Sequence, residues 1–338
     1  MVSMKDIAVK CGVSVATVSK ALNGYTDISA EKREEIERTA NELGYLPNSS
    51  ARALKTKRTY NLGILFADKA RSGLTHDYFA SIMDSFKVTA EERGYDITFT
   101  NCNLTGRSMN YYEHCRYRGL DGVVAACIDF YTPEAQELIR SDLPVVTIDH
   151  VFDGRIAVVS DNVKGMKDLV TYVCSQGHKK IAYIHGLDSS TTRARLSSFY
   201  RTLAEFGIDI PDIYVREAAY RDSEATERIT NELLDLPEPP TCILYPDDFA
   251  ALGGINAIRE RGMKIPEDIS IAGYDGITIA RVLEPKLTTI HQDTKTIGKR
   301  AAEELINLIE RPKITLVEKI VVEGRLLHGN SVKKIEET

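Results

Sequence analysis

The stretch GVSVATVSKALNG, residues 12–24, carries the signals of a short helix whose start and end are both defined. Ser14 is a favourable N-cap residue. Val13 and Val18 occupy the two positions of a hydrophobic staple, which sets the angle at which the chain enters the helix. The turn residues after Leu22 end it. Such a helix is suited to presenting its outer side chains at a fixed angle.

The neighbouring segments predict two further short helices around the same core. Ser3 caps a helix over Met4 to Cys11, with Asp6 as its capping-box partner and Gly12 at its end. The turn of only three residues between this helix and the next is typical of a helix-turn-helix. A third helix follows Ser29 and continues the apolar face. The predicted outer face of the second helix consists of Val15, Ala16, Ser19 and Lys20.

The charge distribution separates this head from the rest of the chain. Residues 1–60 hold ten Lys and Arg against seven Asp and Glu, whereas all 338 residues together carry a net charge of −6. Asn48 can cap a helix of two turns that carries Ala51 and Leu54, within a segment rich in Lys and Arg. A helix so short is marginal alone and is expected to order on binding. A basic head on an acidic body favours nucleic acid as the partner of the head.

The segments KDIAVKCGVSVATVSKALNG, ISAEKRE and LGYLPNSSARAL make the head similar to that of the lac repressor/galactose repressor family of bacterial transcription regulators. This resemblance implies that the second helix enters the major groove of a palindromic operator, while paired hinge helices enter the minor groove. The family commonly has arginine where this chain has Lys20. The DNA-binding residues implied are Ser14, Val15, Ala16, Thr17, Ser19, Lys20, Asn23, Asn48, Ala51 and Leu54.

From Tyr60 onward, short β-rich runs alternate with helical patterns, which predicts parallel sheets covered by helices on both faces. Strands are predicted at 62–66, 96–100, 122–128, 145–148, 180–185, 241–245 and 269–274, and helices at 78–93, 164–176, 193–206, 224–234, 250–261 and 294–310. The chain contains no G-x-G-x-x-G after the first strand, no P-loop, no metal-binding histidine cluster and no nucleophile elbow. These patterns predict a protein that is not an enzyme and needs no cofactor or metal.

Carboxylates recur just after predicted strands: Asp149, the pair Asp247 and Asp248, and Asp275. Ligands of open α/β sheets bind beyond the carboxyl ends of strands, where carboxylates accept hydrogen bonds from hydroxyls or amines and Arg195 can donate them. An aspartate at this position can equally be a helix N-cap, and Asp248 is interpreted as one.

Five segments extend the resemblance over the body: SDNVKGM, GHKKIAYIHG, TRARLSSF, the run from Asp247 to Gly276, and the run from Pro285 to Leu305. They match the family's effector domain, which is similar to periplasmic sugar-binding proteins. The resemblance implies effector-binding residues at Asp149, Asn162, Arg195, Asp247 and Asp275, and less directly at Asp77 and Tyr220. Serines 197 and 198 stand where the family has smaller residues.

The implied organisation is a helix-turn-helix head (1–46), a hinge helix and linker (47–59), and a periplasmic-binding-protein-like body (60–330) of two doubly wound parallel-sheet lobes. The resemblance divides the body into an N-terminal lobe, 60–160 plus 291–319, and a C-terminal lobe, 161–290 plus 320–330. The tail, 331–338, has no leucine heptads, so a homodimer is expected rather than a coiled-coil tetramer.

The residue patterns and the family resemblance together predict a transcription repressor whose affinity for double-stranded operator DNA depends on a small, sugar-like effector in the cleft between the lobes. Control by a partner protein, and a plain sugar-binding role, are the alternatives. The chain shows no signal peptide and no apolar run long enough to span a membrane, so we expect it in the cytoplasm, at the nucleoid when DNA-bound.

Overall fold

A computed structural model describes residues 2–46, 58–67, 73–100, 103–104 and 107–335. Contacts divide the chain into two compact units, Met1–Thr59 and Tyr60–Thr338. The first is called the head and the second the body.

The head contains the three predicted helices: α1 (Met4–Cys11), α2 (Val15–Leu22) and α3 (Ala30–Glu42). The Ser14 hydroxyl accepts a 3.0 Å hydrogen bond from the Thr17 backbone N–H, which confirms the cap of α2. Gly12 ends α1 in a left-handed conformation that favours glycine. Ile7, Val18 and Ile36, one from each helix, are fully buried and form the centre of a shared core. The predicted hinge helix, with Asn48, Ala51 and Leu54, lies outside the described residues.

Over its described residues, the body contains two six-stranded sheets and a two-stranded ribbon. The strands are β1 (Asn61–Phe66), β2 (Asp96–Thr100), β3 (Asn103–Leu104), β4 (Arg107–Ser108), β5 (Gly122–Ala126), β6 (Val145–Ile148), β7 (Ile156–Ser160), β8 (Ile181–His185), β9 (Val215–Glu217), β10 (Cys242–Leu244), β11 (Ser270–Asp275), β12 (Thr288–His291), β13 (Lys319–Val322) and β14 (Arg325–Leu327). The first sheet has the order β13-β7-β6-β5-β1-β2 and is entirely parallel. The second has the order β14-β12-β11-β10-β8-β9 and is parallel except for its edge strand β14. Each sheet forms one lobe.

Helices cover the sheets as the alternating pattern predicts. They are α4 (Asp77–Glu92), α5 (Tyr111–Tyr117), α6 (Pro133–Arg140), α7 (Asn162–Ser175), α8 (Ser190–Glu205), α9 (Ser223–Leu234), α10 (Ala251–Glu260), α11 (Thr278–Val282) and α12 (Thr294–Glu310), with short 3₁₀ turns at Gly73–Thr75 and Asp212–Tyr214. The six helices predicted in the body are present, with starts and ends that differ from the prediction by a few residues at most. The prediction missed α5, α6 and α11, and also the strands β3, β4, β7, β9, β12, β13 and β14.

The chain passes between the lobes three times, and two of the predicted boundaries are wrong. His291 pairs with Asp275 at the end of β12 and therefore belongs to the second lobe. The whole of β13, including 320–322, pairs in parallel with β7 of the first lobe, so the last crossing lies after Val322. Helix α12 packs its apolar face on the first sheet between these two crossings. The lobe to which such a short strand belongs is set by the strand that it pairs with. The residues adjacent in sequence do not specify that partner strand.

The predicted tail is also not separate as far as residue 335. Ser331 is fully buried; its hydroxyl donates to the Ile271 carbonyl at 2.7 Å and accepts from the Thr288 N–H at 2.8 Å. Val332 joins the core of the second lobe. Residues 331–335 therefore complete that lobe.

Within the described part of the chain, no helix is long and apolar enough to cross a membrane. Of the six cysteines, Cys11, Cys115, Cys174 and Cys242 are buried, and Cys127 is half-buried. Cys102 lies outside the described residues.

Candidate functional site

The outer face of α2 is free of the head core. Val15, Ala16 and Lys20 are exposed on it, as are Ser14 and Asn23 at its two ends, while Thr17 and Ser19 are half-buried. Some of the polar side chains also serve the helix itself. The Asn23 side-chain amide donates to the Ser19 carbonyl, and the Thr17 and Ser14 hydroxyls lie 2.9 Å apart. The head thus presents two apolar side chains and one ammonium group together.

In the body, the predicted effector residues gather around Arg195 of α8. This side chain is 3% exposed. Its Nε donates to the Asn162 side-chain oxygen at 2.7 Å, and its Nη1 donates to the Pro246 carbonyl at 3.1 Å. The guanidinium carbon lies 3.5 Å from the centre of the Tyr274 ring. Asn162, a predicted ligand residue, therefore also holds the arginine in place.

Asp275 ends β11 and lies beside Arg195. Its Oδ1 is 3.8 Å from Arg195 Nη2 and accepts a 2.6 Å hydrogen bond from the Gln292 amide. Its backbone is strained, with φ at +97°. Burial raises the pKa of Asp275 to about 7, even though the Arg195 charge acts in the opposite direction. Ionisation of this carboxyl group therefore costs free energy in the folded protein.

Asp149 approaches the same place from the first lobe, directly after β6. Its two oxygens accept hydrogen bonds from the Tyr78 hydroxyl at 2.8 Å and from the Ser160 backbone N–H at 3.1 Å. Burial raises the pKa of Asp149, and these hydrogen bonds oppose the rise. The negative charge of Asp149 contributes to the raised pKa of Asp275, so both lobes act on one site.

Asp247 is 3% exposed and already holds two backbone groups. Its oxygens accept from the Ala250 and Arg221 N–H groups, each at 2.8 Å. The interpretation of Asp248 as the cap is wrong: Asp247 caps this turn, while Asp248 accepts from the Thr289 hydroxyl at 2.6 Å and the Ile277 N–H at 2.9 Å. Two adjacent carboxylates give the same sequence signal, and only the position of β12 separates their roles.

Tyr220 and Asp77 complete the predicted set at different places. The Tyr220 hydroxyl lies 2.9 Å from that of Thr192, and its ring is 5.9 Å from the Arg195 guanidinium carbon. Asp77 is exposed and instead pairs across the lobes with Arg221, at 3.1 Å. The structure thus brings six of the seven residues together around Arg195 and places Asp77 in a contact between the lobes.

Sequence reasoning missed four residues of this region: Tyr78, Arg221, Tyr274 and Gln292. Tyr274 and Gln292 follow the pattern already used, because each lies at or just after the end of a strand. Tyr78 and Arg221 carry no such signal. Tyr78 is placed by α4. Arg221 itself lies in a loop with φ at +62°, and its guanidinium carbon is 4.2 Å from the centre of the Phe249 ring.

Comparison with known proteins agrees with this arrangement. Residues 3–48 match the family described as bacterial regulatory proteins, lacI family, and residues 170–332 match a periplasmic binding protein-like domain. The HTH-type transcriptional repressor PurR of Vibrio atlanticus (strain LGP32) is 30% identical over 318 residues, 92% of each chain. This chain belongs to the lacI family. The ribose operon repressor of Escherichia coli (strain K12) is likewise 30% identical to this lacI-family chain, over 93% of it and 95% of the relative.

Two solved structures extend the match over the whole fold. The lac repressor dimer bound to operator and the anti-inducer ONPF is 25% identical with a TM-score of 0.82, covering 98% of this lacI-family chain and 99% of the other. The transcriptional regulator CelR in complex with cellobiose is 25% identical with a TM-score of 0.71, covering 98% and 100%. The predicted fold class is confirmed. As a lacI-family member the chain is a DNA-binding transcriptional regulator, and its named relatives are repressors rather than enzymes.

Proposed function

We propose that the chain is a homodimeric repressor whose operator affinity is controlled by a small, neutral, polyhydroxylated molecule bound between the lobes of the body. The observation that carries the ligand class is the charge balance around Arg195. Three carboxylates share this region: Asp149 and Asp247 both act on Asp275, while Arg195 acts on Asp149 and Asp275 and Arg221 acts on Asp247.

This balance disfavours an anionic ligand. In a site shielded from water, like charges repel far more strongly than they do in bulk solvent. A phosphorylated sugar would bring its charge next to carboxylates whose pKa burial already raises. Hydroxyl groups fit better, because they donate to the carboxylates and accept from Arg195 without adding charge. The relatives support this class, since the similar CelR structure holds cellobiose and another relative is named for ribose.

On the DNA side, we infer that α2 reads bases in the major groove. Lys20 donates to guanine O6 and N7, and Val15 and Ala16 contact thymine methyl groups. Ser14, Thr17, Ser19 and Asn23 face the phosphates. Leu54, with Asn48 and Ala51 in the hinge segment, opens a central base step in the minor groove. The similar lac repressor structure is a dimer on operator DNA, which supports two such heads on a palindromic site.

The contacts between the lobes supply a means of control. The Ser190 hydroxyl of the second lobe donates to the Asp149 carbonyl of the first at 3.2 Å, and Arg221 and Asp77 form an ion pair between the lobes. A ligand that enters between Asp149 and Asp275 changes these contacts and hence the angle between the lobes. In a dimer, this angle sets the separation of the hinge segments and so the affinity for the operator. The comparisons lend no support to control by a partner protein.

The test begins by selecting an operator from random duplex DNA with the full chain. Fluorescence anisotropy then measures binding of that operator with neutral sugars, sugar phosphates and buffer alone. We expect one or more neutral sugars to change operator affinity and their phosphates to have no effect.

The variant Asp275→Asn should weaken the sugar response about 10-fold or more, because it removes a charged hydrogen-bond acceptor. The matched control is Asp235→Asn, which removes an aspartate of the same lobe that pairs with Arg261 on the outer surface. A response to sugar phosphates alone, or an equal loss in both variants, would contradict the proposed ligand class.

A further inference from the structure

Lys20, on the outer face of α2, is held by an ion pair. Its Nζ lies 2.5 Å from Asp27 Oδ2, and the two side chains are 49% and 53% exposed. Asp27 belongs to the turn between α2 and α3. The hydrogen bond between them lowers the pKa of Asp27 and raises that of Lys20, so both groups are charged at neutral pH.

Such a carboxylate has an unusual position in a DNA-binding head. The carboxylate lowers the attraction of this face for DNA phosphates. That attraction supplies most of the free energy of binding to DNA of any sequence. The carboxylate also limits the freedom of Lys20. A lysine has a long flexible side chain and a compact charge, so a free ammonium group on this face reaches either a base edge or a phosphate. An ammonium group tied to Asp27 has a restricted reach.

We propose that Asp27 is a specificity-determining residue that positions the Lys20 ammonium group for one G·C pair of the operator. The inference rests on the proposed base reading by α2. Lys20 keeps two of its three N–H donors for guanine O6 and N7, and the Asp27 carboxylate accepts from the N4 amine of the paired cytosine. The two side chains thus read both bases of one pair.

The same ion pair also acts against incorrect DNA. At A·T and C·G pairs the amine lies on the other base, and at a T·A pair adenine N6 offers the carboxylate an amine but Lys20 loses the O6 and N7 acceptors of guanine. At each of these pairs the ion pair makes fewer hydrogen bonds to the base edges. Specificity then arises partly from weaker binding to the wrong sequence rather than from stronger binding to the right one.

A second ion pair of the head provides a matched control. Lys10 Nζ and Glu42 Oε2 lie 3.1 Å apart, with side chains 50% and 53% exposed. This pair joins α1 to α3 and includes no residue of α2. Glu42→Gln therefore removes the same charge, at the same exposure, from the same unit.

The experiment uses the full chain and the operator that it selects. Anisotropy measures affinity for that operator, for every single base-pair variant of it and for an unrelated duplex, over a range of salt concentrations. Asp27→Asn should bind the unrelated duplex several-fold more tightly. At one operator position, its preference for G·C over the other base pairs should fall from about 10-fold or more to almost none. The affinity of this variant should depend more steeply on salt concentration, by the amount expected for about one more phosphate contact, because Lys20 is then free to reach a phosphate.

Three further variants separate positioning from charge. Asp27→Glu keeps the charge but moves it, so the base preference should fall while binding to the unrelated duplex stays weak. In a Lys20→Ala background, Asp27→Asn should change the preference much less, because only the direct contact of Asp27 with cytosine N4 is then lost. Glu42→Gln should leave it intact. Circular dichroism of each variant checks that the head is folded.

An unchanged preference in Asp27→Asn, or an equal change in Glu42→Gln, would overturn the role of Asp27 while leaving the proposed repressor function in place. Failure of the wild-type chain to select any operator would overturn both.

Discussion

Replacing Asp275 by asparagine should make the body more stable at alkaline pH, although it damages the ligand site. Burial raises the pKa of Asp275 from an ordinary 3.8 to about 7. The folded protein therefore holds this proton more tightly than the unfolded chain does, and its stability falls as the pH rises from about 4 to 7. Each pKa unit corresponds to about 1.4 kcal/mol, so the full penalty above pH 7 is about 4 kcal/mol. Asparagine does not ionise and escapes this penalty.

This penalty already includes the attraction of Arg195, which acts on the pKa of Asp275 in the opposite direction. In the variant, Arg195 keeps its hydrogen bonds to Asn162 and Pro246 and its contact with the Tyr274 ring. We therefore expect Asp275→Asn to exceed the wild type by about 4 kcal/mol in free energy of unfolding at pH 8. The difference should shrink to near zero at pH 4 to 5, where Asp275 is protonated in the folded wild type.

Urea unfolding of the full chain at pH 5, 6, 7 and 8, at constant ionic strength, measures this difference. Far-ultraviolet circular dichroism and tyrosine fluorescence follow the transition, since the chain has no tryptophan. A difference that does not change with pH, or a variant less stable than the wild type at pH 8, would refute the reasoning.

The control Asp293→Asn should show the opposite dependence. At Asp293, burial acts to raise the pKa, but hydrogen bonds from Thr296 outweigh it and the pKa is lowered. The stabilisation that Asp293 contributes is present at neutral pH and is lost as the pH falls below about 4. Asp293→Asn should therefore be less stable than the wild type at pH 7, with a smaller difference in acid.

Three other predictions concern packing, capping and the contact between the lobes. Gly254→Ala places a Cβ 1.8 Å from the buried Tyr245 hydroxyl and should lower the free energy of unfolding by about 3 kcal/mol. Its control, Gly207→Ala, with φ at +65° and no neighbour within 4 Å, should cost only about 1 kcal/mol in the same urea assay. Ser14→Ala leaves the Thr17 N–H without its cap and should lower the stability of the head by about 1 kcal/mol, measured by amide hydrogen exchange; unchanged protection in α2 would contradict this. Arg221→Ala removes the ion pair to Asp77 and the bond to the Thr75 carbonyl, so small-angle scattering of the ligand-free chain should show a wider angle between the lobes, and an unchanged profile would argue against this contact as a brace.

Much of the fold was predictable because its signals lie within a few residues of one another. The cap at Ser14, the staple of Val13 and Val18, and the left-handed Gly12 define the helices of the head through contacts no more than five residues apart. In the body, alternating apolar runs and helical patterns predicted both parallel sheets. The strand-end pattern predicts Asp149, Asp247 and Asp275, because parallel strands bring their carboxyl ends to one edge. Only the family resemblance indicates Asn162 and Tyr220.

The errors concern residues whose partners lie far along the chain. β13 belongs to the first lobe because it pairs with β7, some 160 residues earlier in sequence. Asp248 has a different role from Asp247 because it accepts a hydrogen bond from Thr289 of β12, 41 residues further along the chain. Neither the lobe of β13 nor the role of Asp248 can be predicted from the residues next to it in sequence.

The sequence by itself therefore determined the helices of the head, the α/β class of the body and the types of side chain at the strand ends. Only the tertiary structure decided that Asp77 pairs with Arg221 across the lobes, that Gln292 donates to Asp275, and that Asp27 holds Lys20. Caps and periodic patterns are set by local backbone geometry, whereas an ion pair or a raised pKa depends on which distant groups exclude water from the same place.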